Sequence, residues 1–344
     1  MKKLINKILK KEDQPASSSR ITSETVAHHR ERVLAGGRKF KYPIQYARHK
    51  LVINAILISV AALILITVVG WWQLYIVQNT NEFMYRVTKV IPVPIATVDG
   101  QSVSFSDYLM KFRSSSRYLE QKEQVDFDTP DGEKQIEYIK QQSINDAIAD
   151  AYAFKLAKQL NISVSSSELE GFLKEQRQSS DGEISEQTYN AVIMDYYGWD
   201  PEEYRHVTEN KLLRQKVAYE IDQDAINASN IADTALKNNP SSDFKTLADQ
   251  LITQTGVQAT SGTSGLVPKT NQDGGLASEA SKMTKGQVSG ILKSTLGDGY
   301  YFIRLTDIND TQVNYEFIKI PLTKFSQDLD TILNSDKVNK FIKI

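Results

Sequence analysis

Between Lys50 and Glu82 the chain carries no charged side chain, and Leu51–Val77 reads LVINAILISVAALILITVVGWWQLYIV. About 20 apolar residues, rising 1.5 Å each, cross a hydrocarbon core ~30 Å thick. Leu51–Val69 nearly meets that length, and its one strongly polar residue, Asn54, stands near an end. Trp71, Trp72 and Tyr75 follow on the far side, with Tyr42 and Tyr46 on the near side. Amphipathic rings of this kind collect at membrane interfaces. The pattern predicts a single transmembrane helix over residues 51–77, with the bilayer as its partner.

Charge orients that helix. Residues 1–50 hold thirteen Lys/Arg against four Asp/Glu, although the whole chain of 344 residues has a net charge of only −1. Arg38, Lys39, Lys41, Arg48 and Lys50 crowd the N-terminal flank, whereas Glu82, Arg86 and Lys89 follow the span. Basic flanks stay inside, so the N-terminus is expected in the cytoplasm and the rest of the chain outside. A cleavable signal peptide fits poorly, because its charged region would be about 50 residues long and Gly70-Trp71-Trp72 offers no small-x-small site. The chain contains no cysteine, which excludes a lipid-modified cysteine, disulfides and thiolate metal sites. The expectation is an uncleaved signal anchor in the cell membrane.

The tail begins MKKLINKILKK, with Leu4, Ile5, Ile8 and Leu9 on one helical face among lysines. Residues 1–11 suit a helix on anionic lipid, or equally a plain solubilising basic end. Residues 14–20 read as linker, and Ser23–Ala35 as a helix stopped by Gly36-Gly37. His28 and His29 are adjacent and point apart on a helix, which argues against a metal site.

Residues 78–94 read as a linker. Ile95–Val98 then forms a short strand, Asp99-Gly100 a hairpin turn, and Ser104 with Asp107 a capping box before the apolar stripe Phe105, Leu109, Phe112. Residues 122–132 read as loop, and Glu133–Leu160 as a long helix ended by Asn161. Ser165 with Glu168 caps a helix to about Gln178, Ser185–Tyr197 forms another, and Asp200-Pro201-Glu202-Glu203 opens a helix to about Ile221.

The ordered set IATVDGQSVSFSDY, KLAKQLNISVSSSELEGFL and GWDPEEYRHVTENKLLRQKVAYEI resembles the N-terminal domain of SurA/PrsA-type foldases over residues 95–221. The resemblance implies a helical chaperone module of the bacterial envelope that holds unfolded secreted chains. Amphipathic rings suit such a surface, and Tyr108, Phe112, Tyr196, Tyr197, Trp199 and Tyr204 are its candidate client-binding residues, core packing being the alternative for each.

Residues 222–344 resemble a parvulin-type (PpiC) prolyl isomerase domain in the order SDFKTLADQL, a glycine-rich stretch, TKGQVSGIL and GYYFIRL. Parvulins place two histidines at the floor of the proline pocket. No histidine follows His206 here. The resemblance puts Tyr301 at the last-strand histidine position and Phe317 or Glu316 at the other. Thr323–Leu333 is expected as a helix and Lys337–Ile344 as a closing strand. A catalytically degenerate domain is the expectation, with an active prolyl isomerase as the alternative.

Other chemistry lacks support. Ser242–Lys245 matches S-x-x-K without its partner motifs, and no phosphate-binding or H-E-x-x-H motif occurs. The acidic outer part, 28 basic against 38 acidic residues after residue 50, argues against nucleic acid. The expected fold is α+β: one transmembrane helix, a SurA N-terminal-like helical domain, and a small antiparallel parvulin-like sheet domain. No cofactor or metal is implied. A non-chaperone envelope scaffold for one partner is the competing function.

Overall fold

The computed structural model describes residues 22–41, 43–179 and 182–343, so the segment 1–11 expected on anionic lipid lies outside the described residues. The chain divides into two compact units, Met1–Gln73 and Leu74–Ile344. In the first, α1 (Ser23–Lys41) runs through Gly36 and Gly37, where a stop was expected. Interior glycines cost a helix about 1 kcal/mol each but do not by themselves end it. Helix α2 (Pro43–Trp71) leads into a π-helical turn, Trp72–Ile76. His49–Ile76 is long and apolar enough to cross a membrane, and its most apolar window is unburied by protein.

The second unit starts without a spacer. Leu74 is buried, and Tyr75 donates a 2.5 Å hydrogen bond to the Pro94 carbonyl while its ring meets Phe105 edge-on. The expected linker 78–94 contains α3 (Glu82–Val90), capped by the Asn81 side chain, which accepts from the Met84 N–H. Its inner face carries buried Tyr85 and Thr88, so it is part of the domain and not a connector.

Strands β1 (Pro94–Val98) and β2 (Gln101–Ser104) pair across Asp99-Gly100, both with positive φ, as a two-residue hairpin requires. Helices α4 (Phe105–Gln121) and α5 (Pro130–Leu160) follow. Helix α5 begins three residues earlier than expected because Thr129 caps it and Pro130 occupies its first turn. Gly132 is required there: a Cβ would lie 2.1 Å from the Asp126 carbonyl oxygen. Helix α6 (Ser166–Gln176) leads to a small ribbon of β3 (Gln178–Ser179) and β4 (Gly182–Glu183). Helices α7 (Glu186–Tyr197) and α8 (Pro201–Ile221) complete the helical layer.

Helices α9 (Gln223–Asn238) and α10 (Phe244–Thr255), strands β5 (Thr260–Thr263) and β6 (Val267–Pro268), helix α11 (Leu276–Ala280) and strand β7 (Leu292–Lys293) precede a long antiparallel hairpin. That hairpin is β8 (Gly299–Ile308) and β9 (Gln312–Pro321), in a sheet of order β5-β9-β8-β7 with β6 also on β9. Period-two alternation gives it two buried faces. Tyr300, Phe302, Ile318 and Ile320 pack under α9 and α10. Tyr301, Ile303, Leu305 and Tyr315 pack with α11 on the other side.

The chain then returns. Helix α12 (Lys324–Leu333) packs on α8 and α5, and β10 (Val338–Lys340) pairs antiparallel with β1 as the third strand of its sheet. Phe325, Ile332 and Ile342 share one core with Phe105, Ile144 and Val217. The boundary expected at residue 222 is therefore corrected. Residues 222–344 do not form one separate domain, because their last segment completes the helical core.

Candidate functional site

The junction of α7 and α8 concentrates aromatic side chains. Helix α7 ends on Gly198 in the left-handed region (φ +70°), whose N–H bonds the Met194 carbonyl at 3.0 Å. Two residues later Asp200 and Glu203 form a reciprocal capping box: Glu203 N–H donates to Asp200 at 2.8 Å, and Asp200 N–H to Glu203 at 3.0 Å. This sharp reversal stacks Tyr197 on Trp199 (centroids 4.9 Å, 20° between planes) and brings Trp199 to 6.4 Å from Tyr204. Tyr196 sits 6.4 Å from Tyr197 with the Lys122 ammonium 4.5 Å above its ring. Burial, and a 2.9 Å hydrogen bond with Tyr189, raise the Tyr204 pKa and keep the phenol neutral.

Tyr197 and Trp199 form a ridge between two clefts. One, about 630 Å³, is bordered by Tyr85, Val90, Met110, Arg113 and Met194. The other, about 890 Å³, is bordered by Tyr118, Leu119, Tyr138 and Ile139. Tyr138 is 63% exposed and Tyr197 39%, so rings are available at the surface. The Trp199 indole N–H is buried and has no hydrogen-bond partner among the described residues. Together the exposed rings can hold an extended peptide by ring contact.

Four of the six expected client-binding residues, Tyr196, Tyr197, Trp199 and Tyr204, are thus brought together. Tyr108 and Phe112 are not. They are 1% and 6% exposed and stack in the core beneath Phe105, so they support the fold and do not reach a surface. Tyr118 and Tyr138 join the clefts, and α3 contributes a wall. Its amphipathic spacing was the missed signal.

A charged network underlies the layer. The Lys111 ammonium lies 2.5 Å from Asp146 and 2.8 Å from Asp150, and Arg214 is 2.7 Å from Asp146. Burial outweighs these cations at Asp150 and raises its carboxyl pKa. Tyr85 donates to Glu203 at 2.6 Å, where Lys89 also bonds at 3.0 Å, tying α3 to α8.

The sheet face opposite α9 and α10 holds the second set of expected residues. Tyr301 and Phe317 are diagonal neighbours there, 6.1 Å apart. The Tyr301 hydroxyl donates to Asp298 at 2.8 Å, and Lys319 reaches the same oxygen at 2.5 Å. Burial and that carboxylate raise the Tyr301 pKa. Burial opposes ionisation of Asp298, but bonds from Lys319, Ser294 and Tyr301 hold its pKa below the usual range. Glu316 points to the other face, 3.0 Å from Arg304, whose guanidinium lies 4.2 Å over Phe244. It does not join Tyr301 and Phe317.

Comparison with protein families adds the decisive observation: a model described as SurA-like N-terminal domain matches residues 44–218. The chain belongs to this family. The SurA-like match covers the ridge, both clefts and helices α3 to α7 entirely, and it begins upstream of the expected 95, inside α2. The C-terminal segment α12–β10, outside the match, nevertheless completes the SurA-like core. No curated protein matches the chain.

Proposed function

We propose that this chain is a membrane-anchored extracytoplasmic chaperone that holds unfolded secreted or envelope polypeptides on the Tyr197–Trp199 ridge. The observation that carries the reading is the aromatic ridge of exposed Tyr197 and half-buried Trp199 between two clefts, inside a SurA-like N-terminal domain. The expected stretch 51–77 contains the span, which ends before Leu74 because Leu74 and Tyr75 pack in the ectodomain core, with the basic tail in the cytoplasm and its first eleven residues on anionic lipid. The module between α9 and β9 is read as parvulin-like and catalytically degenerate. Its Tyr301 hydroxyl is engaged by Asp298, which withdraws it from a substrate carbonyl. That engagement favours the degenerate reading over an active prolyl isomerase.

The test uses the full chain in phospholipid nanodiscs. Light scattering should show suppressed aggregation of several unrelated unfolded clients, and a proline tetrapeptide should relax at nearly its uncatalysed rate. Protection of no client would favour a scaffold for one partner. Tetrapeptide rates like those of an ordinary parvulin, lost on Tyr301→Ala, would establish the isomerase instead. Protease added to intact cells or spheroplasts should digest residues beyond about 80 and spare the tail; protection of that region would overturn the topology.

A further inference from the structure

Helix α3 is two-sided in an unusual sense. Its inner face is anchored through Tyr85, Thr88 and the Glu203 contact. Its outer face presents Phe83 (66% exposed) and Val90 (81% exposed), seven residues apart and therefore aligned on the helix surface, with Ile91 (56%) just beyond. Core-packed helices of soluble domains put polar residues on the outside. Here the outward centre is apolar.

Two observations say what covers it. The first is chain length. The apolar helix ends at Ile76 and α3 begins at Glu82. Six residue steps span at most about 20 Å even when fully extended. Leu74 and Tyr75 already belong to the core that α3 packs on, so nothing lengthens the tether. The second is charge. The Glu82, Arg86 and Arg113 group carries one net positive charge on the Phe83 side of α3, and the Lys89, Glu203 and Asp200 group, one net negative, lies toward α8. The Arg86 side chain is 75% exposed, with guanidinium N–H groups available to phosphate.

We propose that the outer face of α3 is a membrane-docking surface, with Phe83, Val90 and Ile91 entering the headgroup region of the bilayer and Arg86 meeting lipid phosphate. This rests on reading a span within residues 51–77. A helix of this kind lies at the boundary between headgroups and acyl chains. It holds the ectodomain against the membrane surface; because Arg86 and Val90 also border the first cleft, the second cleft, with Tyr118 and Tyr138, is the side left open to clients.

The chain has no cysteine, so single-cysteine labelling is clean. Phe83→Cys, Val90→Cys, Ile58→Cys and Asn238→Cys are labelled with an environment-sensitive fluorophore in the full chain, reconstituted in phosphatidylcholine/phosphatidylglycerol nanodiscs. Labels at 83 and 90 should be quenched by spin-labelled lipid and protected several-fold from aqueous iodide relative to exposed Asn238. The pair Phe83→Glu/Val90→Glu should abolish lipid quenching of a label at Ile91. Labels at 83 and 90 that stay open to iodide overturn the docking. Labels shielded from iodide but unaffected by lipid quencher overturn it too, in favour of a protein partner. The Ile58 label separates the two readings: quenched Ile58 with water-exposed 83 and 90 refutes the docking alone, and unquenched Ile58 refutes the span.

Discussion

Phe325→Ala should unfold the helical layer more easily, although it lies more than a hundred residues from the nearest helix of that layer in the chain. Phe325 on α12 is 9% exposed, and its ring sits 5.8 Å from Tyr152 on α5. Truncating a buried Phe to Ala removes about 3–5 kcal/mol. A position at the margin of the core belongs near the lower end, about 3 kcal/mol, a large fraction of a typical 5–15 kcal/mol total. With a urea dependence of about 3 kcal/mol per M, the midpoint should fall by about 1 M. The unit Leu74–Ile344 retains one tryptophan, Trp199, which packs against the same core. Its fluorescence therefore reports the helical layer and nothing of the sheet. If residues 222–344 formed a separate domain, the Trp199 transition would ignore Phe325→Ala, and an unchanged midpoint would refute the shared core. Ile342→Ala, 5% exposed beside β10, should act in the same direction by about 2–5 kcal/mol.

Tyr138→Ser with Tyr197→Ser should weaken client protection in light scattering without shifting the melting temperature, whereas Tyr108→Ala should lower stability by about 3–5 kcal/mol; the reverse pattern would move the site into the core. His206 lies 3.0 Å from Asp107, and that bond raises its pKa against opposing burial. A raised folded-state pKa gives stability that is full below the unfolded value near 6.5 and is lost as pH rises through the folded one. In the unit Leu74–Ile344 it is the lone histidine, so its proton NMR titration should show a midpoint above 6.5 that drops in Asp107→Asn; equal midpoints would sink the assignment. Gly132→Ala should destabilise by about 1–3 kcal/mol, read by urea unfolding, because its methyl group meets the Asp126 carbonyl.

Local chemistry was legible where both partners lie within a few residues. The Ser165/Glu168 box forms as its spacing predicts, Asp200 caps the helix expected to open there and adds a reciprocal bond with Glu203, and Asn161 adopts the left-handed cap. The expected Ser104/Asp107 box does not form, because Asp107 is taken by His206 from α8, a partner 99 residues away. The aromatic site was half legible for a related reason. Tyr196 to Tyr204 bracket a Gly and a capping box, so the reversal that stacks them is written locally. Phe112 is itself a member of the Phe105, Leu109, Phe112 stripe and Tyr108 adjoins Leu109, so their helical spacing pointed to the buried side of α4, and the client-binding expectation set that signal aside. Pairing of β10 with β1 joins residues about 240 apart, and no periodicity in either segment specifies it.

Asp222 explains how one chain can leave this core, build a sheet module and return. It is 2% exposed, and its two carboxylate oxygens do separate work. One accepts from the Ala225 N–H at 3.0 Å and so caps α9, the exit. The other accepts from the N–H groups of Thr323 at 2.7 Å and Lys324 at 3.0 Å, the start of α12 and the return. Helix N-termini leave amides without intrahelical partners, and a carboxylate also favours the positive end of each dipole. Two such ends therefore converge on one buried charge. Tyr219, three residues earlier, adds bonds from its hydroxyl to the Gly299 carbonyl at 2.7 Å and the Ser294 carbonyl at 3.0 Å. Gly299 is required at the start of β8 because a Cβ there would sit 2.4 Å from the Ile320 oxygen on β9. Both crossings of the chain are thus bonded at the junction itself, and losing the one carboxylate would strand three buried or half-buried amides on two helices at once. Residues 223–321 behave as an insertion held at its base, and the SurA-like core is the body that holds it.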